Sequence, residues 1–281
     1  MIKRIVILIG SLLPSLLHAQ GGSELYLVQL RDQPQVTRIT NRPGYDNQPS
    51  FAHNLILYTS IDSAGRADIW RYDPATSQTA ALIRTNPESE YSATLMPRGD
   101  RISVVRVEQD STQRLWSFAL DGSDPRIVLE SIKPVGYHAW LDSSRVALFV
   151  LGSPNTLQIA DVRTGSAQRI TENIGRALQK VPGRNAISFV QTDPDSTRWI
   201  KAYDVDAGTI TPLVRTFPEN EYHVWTRAGR LITARGSVLY EWDRSARDGW
   251  KQIADTGVQG ITRLAITPDG RQLVVVGAEP N

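Results

Sequence analysis

Three histidines, His53, His138 and His223, are evenly spaced along the chain. Imidazole is the commonest metal-binding side chain, and three on a symmetric scaffold could hold a zinc ion with one position open. Their local sequences separate them. His138 lies in "YHAW" (Tyr137 to Trp140) and His223 in "YHVW" (Tyr222 to Trp225), each two positions before its Trp, whereas His53 lies two positions after Phe51, the residue in the matching place. Four residues of strand span about 13 Å, so His53 is expected at the far end of its strand. Two histidines leave a zinc site two ligands short. No metal, cofactor or catalytic residue is therefore assigned. The expected site is a binding surface in which Tyr137, His138, Tyr222 and His223, with Glu221 beside them, form a polar rim that holds a ligand or partner segment.

Other suggestive motifs read as structure. "RGD" (Arg98 to Asp100) matches an adhesion tripeptide but falls where a hairpin turn requires Gly and Asp. "DPDST" (Asp193 to Thr197) offers oxygen ligands, yet it lacks the glycine and distal glutamate of an EF-hand loop and aligns with "IDSAG" and "EQDST". Trp70, Trp116, Trp140 and Trp225 recur at equivalent strand positions and read as core between sheets. Trp250 follows the insertion "DRSARDG" and reads as a sugar or peptide platform or as a packed aromatic. Lys180 stands where the other repeats place an apolar residue, which marks a weak unit or a charge facing a channel.

The elements that must position the rim are repeated. Phe51, Leu95, Trp140, Lys180, Trp225 and Ile266 each precede a turn and recur every 40 to 45 residues. Ile69, Leu115, Leu157, Ile200 and Leu239 open a third segment with the same period. In the second unit the segments "YSATLM", "RISVVRV", "RLWSFAL" and "PRIVLES" alternate apolar and polar residues between turns, and helical periodicity is absent. Four short strands in about 43 residues describe a propeller blade, whose first strand lines the central channel. The units cover about 46–85, 90–131, 136–173, 175–216 and 221–256, with a sixth from 259–280 plus 24–41. In the last, "AITPDGRQLVVVGAEPN" supplies two strands, and "ELYLVQL" and "QVTRITN" supply the others. The expected fold is an all-β six-bladed β-propeller of four antiparallel strands per blade, closed by N-terminal strands pairing with the C-terminal hairpin. A hairpin alone is marginal in water, and closure removes the free sheet edges.

"YDNQPSFAHNLILYTSIDSAGRADIWRYD" and "AITPDGRQLVV" resemble the repeats of the TolB-type six-bladed propeller family, over nearly all of residues 24 to 280. That family's first turn typically reads Ser-Pro-Asp-Gly. Thr267 to Gly270 comes nearest, while "MPRGDR", "VPGRN", "LDSSR" and "TRAGR" have drifted. The resemblance implies a β-propeller of the cell envelope. TolB itself carries an α/β domain before its propeller and works with a peptidoglycan-associated lipoprotein; here strand sequence begins within about five residues of the expected leader, leaving no place for that domain. Propellers of this type also occur fused to α/β-hydrolase peptidase domains, but no G-x-S-x-G elbow occurs in this chain.

Lys3 and Arg4, the apolar run Ile5 to Leu17 and small Ala19 read as a secretory signal peptide cut after Ala19, followed by a single propeller domain over 20–281. Without Lys3 and Arg4 the basic and acidic residues are equal in number, which excludes a phosphate-tracking nucleic-acid binder. There is no cysteine for disulfides or a lipid anchor, and no later segment approaches a transmembrane length. The chain is expected to be periplasmic or secreted and monomeric. Its expected role is non-catalytic binding or scaffolding of an envelope protein, peptide or glycan, the alternative being a polysaccharide lyase or hydrolase with acid and base at the channel mouth.

Overall fold

The computed structural model describes residues 22–245 and 249–280; the expected leader, residues 1–19, lies outside them. The described residues form six antiparallel sheets of four strands and no helix. Each sheet is a blade. The first, innermost strands of blades 1 to 6 are Asp46–Ala52, Ser89–Leu95, Val135–Trp140, Ile174–Lys180, Val224–Trp225 and Leu264–Ile266. They touch one another in sequence around the ring, and the sixth returns to the first.

Blade 6 is made from both ends of the chain, as its sequence requires. Leu264–Ile266 pairs with Gln272–Ala278, which pairs with Ser23–Gln29, which pairs with Gln35–Arg38. The seam runs in register from Ser23 opposite Ala278 to Gln29 opposite Gln272.

Burial explains the strand compositions. Second strands such as Leu55–Ile61, Arg101–Val107 and Gln272–Ala278 are buried along their interior, because a neighbouring blade covers each face. They read as mostly apolar runs, with the few polar side chains inside them, such as Ser103 and Arg106, buried and partnered. Outermost strands such as Gln35–Arg38 face water along their length. Six separate apolar clusters fill the six gaps between adjacent blades, and Leu25, Leu27 and Val274 of blade 6 close the last against Ile56, Tyr58 and Tyr72 of blade 1. Close approach also constrains the turns. Gly122 has φ +85°, and a Cβ there would come within 1.9 Å of the Leu82 carbonyl oxygen on blade 1.

The motifs set aside as turns have turn geometry. Asp195 Oδ1 accepts the Thr197 N–H at 3.0 Å, and Asp193 pairs with Lys201 Nζ at 2.6 Å. The carbonyl of Gly99 in "RGD" lies 2.9 Å from His53 Nε2, so that histidine links blade 1 to the blade 2 turn.

Candidate functional site

At one end of the channel is a vestibule of about 990 Å³, lined by the starts of the inner strands and the loops leading into them. Beneath it lies a smaller cavity of about 110 Å³. Tyr137, Arg176, Tyr222 and Arg263 line both spaces and form the floor between them. These four come from blades 3, 4, 5 and 6, so tyrosine and arginine alternate around the ring. Blades 1 and 2 complete this layer with Gln48 and Ser92, whose N–H donates to Gln48 Oε1 at 2.7 Å.

Backbone irregularity aims these side chains. In four blades the ladder between first and second strands shifts register at this depth, between Asn47 and Ser50, Tyr91 and Thr94, Val135 and Tyr137, and Ile174 and Leu178. A bulge turns a side chain away from the normal alternation, here toward the axis.

Arg263 spans the channel. Its Nη2 donates to Tyr137 Oη on the opposite blade at 2.8 Å. Its guanidinium carbon lies 4.9 Å from the Tyr137 ring centroid and 4.4 Å from that of Tyr222. A guanidinium keeps its charge at any pH a protein meets. Burial pushes the Tyr45 phenol up to about 12 and raises that of Tyr222, so these hydroxyls stay protonated near neutral pH and supply no counter-charge. Among the described residues the ion pairs of the vestibule go elsewhere: Arg198 holds Glu221 at 3.0 Å and Arg235 holds Glu219 at 2.7 Å, while neither Arg176 nor Arg263 has a carboxylate partner.

The expected rim residues occupy different environments. Tyr137, Glu221 and Tyr222 line the vestibule. His138 lies in the wall of the inner cavity, 8% exposed, and His223 is 1% exposed. Each histidine ends a relay between blades. Trp140 Nε1–H donates to Ser103 Oγ at 2.9 Å, and that hydroxyl lies 2.7 Å from His138 Nε2. Trp225 Nε1–H donates to Ser188 Oγ at 2.8 Å, with His223 Nε2 at 2.8 Å. Both Nδ1 atoms are buried without a partner, and burial lowers both imidazoles to about 4. Lys180 donates to the Leu141 carbonyl of blade 3, and Trp250 packs on Phe217 with its N–H on the Arg215 carbonyl at 2.8 Å.

Arg176 and Arg263 were not among the residues singled out by sequence. The signal for Arg263 was its phase: it stands three positions before Ile266, as Tyr137 stands before Trp140 and Tyr222 before Trp225. Arg176 stands four before Lys180, displaced by the bulge in its strand.

No family profile matches the sequence, and no curated protein matches it. Solved structures do resemble it. TolB from Acinetobacter baumannii superposes with a TM-score of 0.61 at 14% identity, over 94% of this chain and 65% of that one, so the chain spans less than two thirds of that protein. A putative TolB from Agrobacterium tumefaciens gives 0.67 at 13% identity, over 92% of this chain and 99% of that one. An oligogalacturonate lyase in complex with manganese gives 0.61 at 14% identity, over 88% of this chain and 80% of that one. Such likeness is one of architecture: this chain has the six-bladed propeller fold seen in TolB.

Proposed function

We propose that this protein is an exported, non-catalytic binding propeller of the periplasm or exterior that takes its ligand, a protein segment, peptide or glycan, into the channel vestibule. The observation that carries this reading is the vestibule's floor, where Arg176 and Arg263 stand between tyrosines in a concave space large enough for a ligand. Export rests on the Lys3 to Ala19 pattern. The balance of charge outside that pattern argues against a nucleic acid, and monomeric function fits a closed ring whose remaining sheet edges are short, polar outer strands such as Gln35–Arg38.

Acid–base chemistry has little to work with here. A general base needs a pKa near the working pH and access to substrate. The histidines are buried and shifted to about 4, the Tyr45 and Tyr222 phenols are raised, and Glu221 is held by Arg198. Among the described residues no three His, Cys, Asp or Glu side chains gather where a metal could bind, and one structure of like fold is an oligogalacturonate lyase in complex with manganese. The likeness to that lyase still supplies a second reading, turnover of an acidic glycan. Incubating wild type and Arg263→Gln with oligogalacturonates and random short peptides tests both. Binding without product, lost in the variant, is expected; product formed by wild type and lost in Arg263→Gln would overturn the binding reading.

A further inference from the structure

We propose that the vestibule floor reads the end of a peptide, with Arg176 and Arg263 receiving a single C-terminal carboxylate. This rests on the reading of the vestibule as the binding site and adds the ligand's chemical class.

Positive charge is left over at the floor. Arg176 and Arg263 lie where the vestibule meets the inner cavity, and neither is paired with a carboxylate among the described residues. Arg263 is fixed by one hydroxyl and two aromatic faces, an arrangement that orients the guanidinium without neutralising it. An oriented guanidinium offers paired N–H donors that match the two oxygens of a carboxylate.

The channel is also polarised along its axis. Glu219, Glu221 and Glu279 line the vestibule and are absent from the inner cavity's lining, whereas both floor arginines belong to each. Two of these glutamates are already held, Glu221 by Arg198 and Glu219 by Arg235, so the wall carries little free charge above a floor whose two arginines have no ion-pair partner. A polyuronate brings a carboxylate on every sugar, and above the floor the one lining arginine, Arg198, is already held by Glu221, so its further charges meet no free cation. A ligand with one anion at its leading tip meets the arginines and leaves an uncharged or cationic body beside the wall. The floor bars further passage: the Arg263 to Tyr137 bond crosses between opposite blades, so a chain entering from the mouth meets the floor end-on. An extended peptide entering by its C-terminus satisfies all three conditions.

The test uses the full protein and two pools of N-acetylated random hexapeptides, one with free C-terminal carboxylates and one amidated, each retained by equilibrium dialysis and read by mass spectrometry. Wild type is expected to retain the free-acid pool at least about tenfold over the amidated pool, the scale of one charge-assisted hydrogen-bonded contact. Arg263→Gln and Arg176→Gln should each remove that preference, while Arg263→Lys should recover only part of it, because an ammonium lacks the planar fork. Circular dichroism confirms that each variant is folded. Equal retention of both pools, abolished by Tyr222→Ala, would overturn end-group reading and leave the vestibule as the binding site. Retention of neither pool would overturn the peptide, and retention instead of oligogalacturonates dialysed in parallel, lost in Arg263→Gln, would replace it with a glycan in the same vestibule.

Discussion

His138 and His223 should make this propeller acid-sensitive in a defined pH window. Both imidazoles are buried and held neutral, with folded values near 4 against 6.5 for the free group. The sign follows from which state takes the proton first. As pH falls below 6.5 the unfolded chain binds it and the folded chain does not, so stability that is intact above 6.5 drains away until the folded value near 4 is reached. At pH 5 each histidine has lost about 2 kcal/mol, and the pair about 4 kcal/mol, against a typical domain stability of about 5–15 kcal/mol. Replacing both with Gln keeps a polar group facing each serine and removes the titration. Urea unfolding at pH 7 and pH 5 gives the test. Wild type should lose about 4 kcal/mol more between those pH values than His138→Gln/His223→Gln, and each single variant about 2 kcal/mol less than wild type. Because other groups titrate equally in all four proteins, the differences isolate the histidines. If wild type and the double variant lose the same amount, the imidazoles are not held neutral by burial and the reasoning fails.

Glu90 should act with the opposite sign. It is fully buried, its Oε2 has no partner, and burial lifts its carboxyl to about 6 from 4.5, so stability present at low pH is lost as pH rises through 6. The stability of Glu90→Gln relative to wild type should therefore grow by about 2 kcal/mol between pH 4.5 and pH 7, and a constant difference in denaturant titrations would refute this. Gly122→Ala should cost about 2–4 kcal/mol because its Cβ meets the Leu82 carbonyl, whereas Gly165→Ala, with φ +72° and open space around it, should cost about 1 kcal/mol. Equal shifts in melting temperature would show that blade 1 yields. Deleting residues 273–281 removes the partner of Ser23–Gln29 and should give an aggregating, non-cooperative protein by size-exclusion chromatography and thermal melting. A monomeric product with unchanged melting would count against the seam as the closure.

The fold was legible because packing writes itself into the repeat. Second strands covered on both faces are mostly apolar, and turns squeezed between blades carry Gly or Asp, so period and strand count could be read from Ile102 to Val107, even with Ser103 and Arg106 in it, or from Leu273 to Val276. Ring closure was legible because "ELYLVQL" fits only an unfilled third strand. The site was half legible. Tyr137 and Tyr222 stood out because a neighbouring histidine drew attention to them, but the relays that hold those histidines run through Ser103 and Ser188, single hydroxyls in apolar strands of the preceding blade. Nothing local to "YHAW" or "YHVW" names that serine. Arg263 carried a readable phase and Arg176 did not, since one bulged residue in its strand breaks the count on which phase depends.

Blade 6 carries two duties that are separate in most binding proteins. It holds the seam that joins the two ends of the chain, and its Arg263 reaches across to blade 3. Occupancy and end-joining are therefore linked equilibria. A ligand gripped by Arg263 favours the joined state by RT ln(1 + [L]/Kd), and any fraying of Ser23–Gln29 from Gln272–Ala278 weakens the grip in the same proportion. Slowed amide exchange along Tyr26 to Gln29 and Gln272 to Val275, the part of the seam outside the vestibule lining, would report a bound ligand at a distance.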